Sequence, residues 1–510
     1  MGFAPQVFAD DAPSVIFQDH LQDAGGDLPN WHPLLHHSCS FDSAIFTDVM
    51  INLIKNPNIN SSWLFRADII HDSEAIPSRL GDMPAIPSFL GFERRRCIVR
   101  TLIPRNTLRD KPLDQTCLVY VTPVHHEHEQ VGGTQRTLVL YLPHVSSSSE
   151  MPFYHPKVAG IAFLHERTEP EPESEPETEF LGSISISYLF FDDSNRSEAK
   201  LTRTAFHLLE AIHKHGEGRV NGYQKRVHHD VLLPQARVQN TYTALKQKYS
   251  RALIAGWSET TDPVKHVFED LSIASFLIEL WKDMYGKGPF PGFVDIGCGN
   301  GLLVHLLIQE GFRGWGFDAR GRKSWATYNT KLQSPAGLED SLRQLVLLPS
   351  LVSKEQLSKI SSENFSEELI HDGRFPKGTF IISNHADELT PWTPIIAAIS
   401  DCPFIMIPCC SHDLTGKRYR APPPKDKTKS HSAYSSLVDW VAAIAKDCGW
   451  EVEQEMMRIP STRNTGILGR RRTTETSSVD IPAIVARYGG TAGYLETVIK
   501  LANKPSSGGH

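Results

Sequence analysis

Phe293-Val-Asp-Ile-Gly-Cys-Gly-Asn-Gly-Leu302 is the stretch whose reading decides the fold. Phe293, Val294 and Ile296 form an apolar run of the kind a buried parallel strand carries. Asp295 interrupts it two positions before Gly297. Gly299 and Gly301 follow, then an apolar run from Leu302 to Ile308 that suits a helix. The order is strand, glycine turn, helix. Such a turn presents backbone N–H groups and a helix N-terminus to a ligand, and glycines let that ligand come close. The dinucleotide fingerprint would need a third glycine or alanine at position 302, where Leu302 stands.

Working outward, Gly314-Trp-Gly-Phe-Asp318 predicts the next strand, ending in an acid 23 residues after Asp295. In doubly wound folds an acid at about that distance meets a ribose hydroxyl. The plainer reading of Asp318 is a solvated strand-end carboxylate, and the spacing weighs against it. Asp-x-Gly-x-Gly-x-Gly with a spaced acid resembles motif I of the Rossmann-like methyltransferases that use S-adenosylmethionine. That resemblance implies an α/β fold with a mostly parallel, doubly wound sheet. It also implies cofactor contacts from Asp295, Gly297, Gly299, Asn300, Gly301 and Asp318.

The chain has 510 residues, enough for two or three domains. Its 40% hydrophobic and 22% charged content is ordinary for a soluble globular protein. No apolar run is long enough to cross a bilayer. The first thirty residues carry Asp10, Asp11, Asp19, Asp23 and Asp27 and lack the pattern of a signal peptide. Eight cysteines in so long a chain are no disulfide framework and point to a reducing compartment, the cytoplasm. Net charge is −7, but the stretch Glu166 to Glu179 alone holds seven Glu and one Arg. The remainder is near −1, and Asp401 to Arg472 has twelve Lys/Arg against eight Asp/Glu. A local basic face on a near-neutral body is compatible with RNA binding.

In chain order, residues 1–35 read as a flexible lead-in. Residues 36–220 read as a mixed α+β domain with an antiparallel sheet. Its strands are expected at Cys97–Ile103, Thr116–Val121, Thr137–Leu142, Ile161–Leu164 and Ser183–Phe191, the last with strand-like alternation. The Glu/Pro-rich insert 166–180 cannot bury enough apolar surface to order itself and is expected to be disordered. Residues 221–488 form the methyltransferase domain and 489–510 a tail. Val238, Tyr242, Leu245, Tyr249 and Leu253 predict an amphipathic helix with Lys246, Lys248 and Arg251 on its basic face. A core helix follows Asp262-Pro263. Helices just before motif I often cover the cofactor pocket in the methyltransferases this chain resembles, and that resemblance implies Lys265 and Glu269 near the pocket. Further strands are expected at Leu345–Leu348, Gly378–Ser383 and Phe404–Cys410. In an open α/β sheet the ligand sits at the carboxyl ends of strands, so Asn384-His-Ala-Asp-Glu388 is where a substrate should meet the methyl group. His228 and His229 beside Asp230 invite a metal reading, but no second cluster has ligand spacing, and no metal is expected. Cys409 and Cys410 are expected as small buried residues closing the fifth strand.

Several segments together resemble the tRNA (uracil-2′-O-)-methyltransferase family, which modifies uridine 44 of serine tRNA. They include Lys111-Pro-Leu-Asp-Gln-Thr-Cys117, Lys225-Arg-Val-His-His-Asp230, Gly321-Arg-Lys-Ser-Trp325, Asn384 to Trp392, Ile407-Pro-Cys-Cys-Ser411 and Arg458-Ile-Pro-Ser-Thr-Arg463. The resemblance spans most of residues 95–470. It implies transfer of a methyl from S-adenosylmethionine to a ribose 2′-hydroxyl, with tRNA as partner. Asp387 is the first candidate for base or hydroxyl acceptor, with His385 and Glu388 next and Lys417 to orient the hydroxyl. Lys225, Arg226, Arg418 and Arg463 are candidates for RNA contact. A plainer reading of Asp387 and Glu388 puts them at a helix start near Thr390-Pro391, where acids gain from the helix dipole. Two other functions fit less well. A nitrogen methyltransferase usually carries a proline pair after its fourth strand, which Asn384-His-Ala-Asp387 lacks. A non-catalytic RNA-binding relic would not need an intact Asp295, glycine turn and Asp318. Asp295→Ala is expected to abolish S-adenosylmethionine binding in titration calorimetry, and an unchanged affinity would place the pocket elsewhere.

Overall fold

The computed structural model describes residues 3–9, 12, 31–74, 87–89, 91–106, 109–123, 134–168, 182–192, 198–223, 229–286, 288–334, 337–352, 367–426 and 431–502. The chain divides into two compact units, Met1–Lys225 and Arg226–His510, a few residues beyond the expected boundary at 220. No helix among the described residues is long and apolar enough to cross a membrane.

The first unit is one antiparallel sheet with two helices. Its strands are β1 (Gln6–Val7), β2 (Trp31–Cys39), β3 (Leu64–Asp72), β4 (Glu93–Pro104), β5 (Leu113–Val121), β6 (Thr134–Pro143), β7 (Gly160–Thr168) and β8 (Gly182–Leu189). They pair in the order β1-β2-β8-β7-β6-β5-β4-β3. Helices α1 (Ser43–Lys55) and α2 (Ala199–Val220) supply Phe46, Met50, Leu53, Ala205, Leu209 and Ile212 to the core. Val139, Phe163, Ile184 and Ile186 meet them from the sheet.

Two expectations change here. Residues 31–35 belong to β2, where Trp31 and Leu35 are buried and pair with Leu189 and Ile186 of β8, so they are not lead-in. Pro33 sits where the register shifts, which is how a strand accommodates its missing N–H. The acidic insert begins later than expected, because Glu166, Arg167 and Thr168 still pair with β6 and Glu166 accepts from Arg136 at 2.9 Å. Residues 169–180 lie outside the described residues.

The second unit opens with α3 (Gln235–Ala255) and α4 (Pro263–Tyr285). Asp262 caps α4 by accepting from Val264 N–H at 2.9 Å, with Pro263 at the first helical position. Then come β9 (Phe293–Ile296), α5 (Leu302–Gln309) and β10 (Gly314–Asp318). Two short pairs, β11 (Lys331–Ser334) with β12 (Gly337–Asp340) and β14 (Val346–Leu347) with β15 (Ile370–His371), flank β13 (Leu342–Gln344). The chain continues with β16 (Phe380–Asn384), β17 (Phe404–Ile407), β18 (Trp450–Met456) and β19 (Thr465–Arg472). The main sheet runs β13-β10-β9-β16-β17-β19-β18. Its first five strands are parallel, and β19 is antiparallel to both neighbours. This is the α/β, mostly parallel architecture that the glycine stretch predicts. The strand order reverses between β9 and β16, which opens a crevice at their carboxyl ends.

The third parallel strand is Leu342–Gln344 rather than 345–348. Leu342 occupies the space beside Gly301, while Val346 and Leu347 turn away to pair with β15. The expected tail is also different. Residues 494–502 are a helix whose Tyr494 is 1% exposed and donates its hydroxyl to Leu347 O at 3.0 Å. Its Leu495 and Val498 join the same core as β9 and β16, so residues 494–498 are packed against the sheet rather than part of a tail. Residues 503–510 lie outside the described residues.

Trp281 ties α4 to the sheet. Its ring lies 4.6 Å from Phe290, 5.5 Å from Phe293, 5.0 Å from Phe312 and 5.4 Å from Phe380, centroid to centroid. Trp281→Ala is expected to cost about 3–5 kcal/mol of the second unit's stability, read by denaturant unfolding followed at an α4 probe.

Candidate active site

The glycine turn is held from outside at nearly every peptide. Gly297, Gly299 and Gly301 have φ of 72°, 52° and 77°, the left-handed region that favours glycine. Gly301 also has no room for a side chain, since a Cβ there would meet Leu342 Cδ1 at 2.5 Å. Asp318 accepts from Gly299 N–H at 3.0 Å. Trp325 donates its indole N–H to Gly299 O at 2.9 Å, and Ser324 its hydroxyl to Asn300 O at 2.8 Å. Asn300 accepts from Leu302 N–H at 2.9 Å. Glu259 in turn accepts from Ser324 N–H at 2.9 Å. The Gly321-to-Trp325 segment is therefore the brace of the turn. Glu259 had no signal in the sequence beyond lying before a helix.

The turn forms one rim of a cavity of about 480 Å³, within the range of small-molecule sites. Asp295, Gly297, Gly299, Asn300 and Asp318 line it, while Gly301 stands behind as the N-cap of α5. The floor is acidic. Asp295 is 2% exposed, Glu269 6% and Asp270 8%. Asp295 Oδ1 is buried with no hydrogen-bond partner. Burial, then the neighbouring Glu269, pushes Asp270 up to about 8. Burial, then Asp270 and Asp318, holds Asp295 well above the usual carboxylate range. A cation placed here would meet an open acceptor and reverse those shifts. Asp270 sits inside an apolar helix run and gave no sequence signal. Lys265 and Glu269 line the cavity where the sequence expected them.

The opposite rim is made by the ends of β16 and β17. His385 and Asp387 have φ of 52° and 41°, strained for residues with a Cβ. His385 Nε2 lies 3.0 Å from Glu269 Oε1, while its Nδ1 is buried without a partner. Asp387 accepts from Cys409 Sγ at 3.0 Å. Asp387 and Glu388 open a 3-10 turn with Leu389, and the α-helix begins at Thr393, three residues after the expected start at Thr390. Cys409 is half-buried and Cys410 exposed, and both line the cavity rather than the core. The donor atoms of Asp387, Cys409 and Cys410 lie within 4.8 Å of one another.

The basic candidates separate. Arg463 lines the cavity, with its guanidinium 4.7 Å from the centre of the Tyr434 ring. Lys417 and Arg418 are exposed in the loop after β17 and do not line it. Tight turning about Asp413, which accepts from Lys417 N–H at 3.3 Å, carries Lys417 toward Gly493 instead. Lys225 and Arg226, with His228, lie outside the described residues. Asp230 forms a 2.6 Å ion pair with Arg458, and Glu455 accepts from the N–H groups of Asp230, Val231 and Leu232 at 2.8–2.9 Å. On α3, Lys248 pairs with Glu310 and Lys246 lies over Phe268, so two of its basic side chains are engaged within the unit. Tyr494, Thr497 and Val498 complete the cavity wall, a contribution hidden while residues 489–510 read as a tail.

A parallel sheet that reverses at β9, a braced glycine turn, an acid ending β10 and an acidic cavity beneath them define a Rossmann-like methyltransferase dependent on S-adenosylmethionine. Residues 8–226 match the family described as TRM44-like, N-terminal bet v1-like domain, and residues 232–341 the one described as predicted AdoMet-dependent methyltransferase. The chain is 66% identical over 507 residues to a tRNA (uracil-O(2)-)-methyltransferase of Neurospora crassa, covering 98% of this chain and 97% of that one. It is 39% identical to the protein of the same name from Schizosaccharomyces pombe, covering 92% of each. Among solved structures, an O-methyltransferase family protein from Burkholderia thailandensis aligns over 47% of this chain and 68% of its own. Identity there is 11% and the TM-score 0.19, too low to carry weight. The chain belongs to the tRNA (uracil-O(2)-)-methyltransferase family.

The acidic floor has a pH signature. Asp270 keeps its proton in the folded state up to about 8 and loses it near 3.8 when unfolded. The folded state therefore binds more protons between those values, and stability falls as pH rises through that window. Asp270→Asn is expected to raise the melting temperature more at about pH 8.5 than at about pH 5, read by thermal unfolding at both.

Proposed function

We propose that this chain transfers the methyl group of S-adenosylmethionine to the ribose 2′-hydroxyl of a uridine in tRNA. Uridine 44 of serine tRNA is the position the family resemblance implies. The observation that carries this is identity to tRNA (uracil-O(2)-)-methyltransferases across both units, 66% in the Neurospora crassa relative. Its eight free cysteines support a cytoplasmic setting.

The cofactor, when bound, supplies a methyl group made electrophilic by a sulfonium. The residues present suit it. Asp295, with its unpartnered Oδ1, and Asp270 meet the cationic end. Arg322 lines the cavity with a buried, unpartnered Nε and meets a carboxylate. Gly297, Gly299 and Asn300 let the ligand lie against backbone. Asp318 spends one lone pair of each oxygen on Gly299 and Arg320 N–H groups, leaving others for ribose hydroxyls.

The acceptor is a neutral alcohol, which must be aligned and relieved of its proton. Alignment supplies about 7–11 kcal/mol and a base about 10²–10⁴ in rate, so placement contributes more than proton removal. Asp387 receives the hydroxyl, with Glu388 beside it on the cavity wall. His385 acts as a positioning residue, because one ring nitrogen is engaged by Glu269 and the other is buried. Arg463 holds RNA phosphate at the rim; Arg418, Lys417, Lys225 and Arg226 are further candidates for RNA contact.

Incubation with labelled S-adenosylmethionine and total tRNA, followed by alkali, is the test. A 2′-O-methyl leaves an alkali-resistant dinucleotide, whereas a base methyl leaves only labelled mononucleotides and overturns the proposal. Asp387→Ala is expected to lower the single-turnover rate about 10²–10⁴-fold with cofactor affinity unchanged.

A further inference from the structure

Asp387, Cys409 and Cys410 sit three, two and three residues beyond the ends of β16 and β17. Parallel pairing sets Asn384 beside Ile407 and so brings the two loops together at the acceptor end of the cavity. One carboxylate oxygen and two sulfurs converge there within 4.8 Å. A thiol is a weak hydrogen-bond donor, so the 3.0 Å contact of Cys409 with Asp387 gives no reason for a second thiol at the same place. Neither cysteine fills the core. Cys402 and Cys448, both fully buried, show what core cysteines look like in this unit.

We propose that Asp387, Cys409 and Cys410 bind a zinc ion, with the fourth position open to the cavity for the substrate hydroxyl. Three protein ligands and one open position are the pattern of catalytic zinc sites, whose bonds run about 2.0–2.3 Å. Thiolate ligands select zinc over magnesium or calcium. Bringing the donors to zinc distance asks for a modest contraction about side-chain torsions of loops already in place. The charge also fits. Two thiolates and a carboxylate around a divalent ion leave one net negative charge, which does not repel a sulfonium.

The use made of the fourth position rests on the methyl-transfer proposal; the metal site itself does not. With the 2′-oxygen on zinc, its O–H bond breaks and the proton leaves to solvent water at the cavity mouth. The oxygen's electron pair forms the O–CH₃ bond as the methyl–sulfur bond breaks, its pair going to sulfur. One proton is released, nothing is oxidised or reduced, and zinc is unchanged. Zinc can lower the pKa of bound water from about 15.7 to about 7, and a metal-bound alcohol benefits in the same sense. With zinc bound, Asp387 acts on the hydroxyl through the metal in place of the direct acceptor role given to it above, and no separate base is needed.

The experiment uses the full chain, purified without a metal-affinity tag. Zinc is measured by mass spectrometry after exhaustive buffer exchange, alongside the alkali-resistant dinucleotide assay. The expected result is about one zinc per chain. The Cys409→Ser/Cys410→Ser variant loses it, keeps cofactor affinity, and falls at least about 10²-fold in rate. Asp387→Cys, which exchanges one zinc ligand for another, keeps the metal. Cobalt reconstitution gives a thiolate charge-transfer band in the wild type and none in the double variant. A wild-type chain that takes up no zinc, even after incubation with zinc chloride, overturns the proposal. So does a double variant with unchanged zinc content or unchanged rate. Methylation by a zinc-free chain removes the metal and leaves the methyltransferase. Zinc held by a chain that leaves tRNA unmethylated removes the methyltransferase reading and leaves the metal.

Discussion

The carboxylate of Asp318 accepting from Gly299 N–H is the contact on which the second unit's chemistry turns. A loop of left-handed glycines has more freedom to lose than any other stretch of chain. It becomes a rigid cradle only if its peptides are tied elsewhere. Asp318 ties one N–H, while Trp325 and Ser324 tie two carbonyls. The same arrangement brings β10 alongside β9 at the correct register, Gly316 against Asp295. Strand pairing, loop rigidity and pocket shape are thus one constraint seen three ways.

The acids beneath the turn carry the opposite logic. Burying Glu269, Asp270 and Asp295 together is unfavourable while they carry charge, and the shifts of Asp270 and Asp295 express that. A pocket of this kind holds part of its binding affinity in reserve until a cation arrives. The nearby Glu269–His385 contact joins α4 to the loop after β16, so the acidic floor and the acceptor rim belong to one network.

Much of this is legible in the order of the residues alone. Glycines at alternate positions after an apolar run have few other uses, and an acid at the next strand end supports the same reading. Strand positions in the first unit follow from β-branched and aromatic runs such as Thr116–Val121. What stays hidden is set by tertiary contact. The strand at Trp31 mixes three His and a Pro among its apolar residues, which breaks the β pattern, and it is held by pairing to β8. Asp270 looks like a stray polar position in a core helix until the helix is packed. Tyr494 reads as a tail residue until its hydroxyl finds Leu347 O. Cys409 and Cys410 look like strand filler, because nothing local says that β17 ends at Ile407 and releases them toward Asp387.

A last feature lies where the two rims touch. A Cβ on Gly297 would meet Ala386 Cβ at 3.0 Å, so the donor cradle and the acceptor loop share a partition one methyl group thick. Any side chain larger than hydrogen at position 297 would have to push the acceptor loop aside, so the two halves of the cavity are built to one common tolerance.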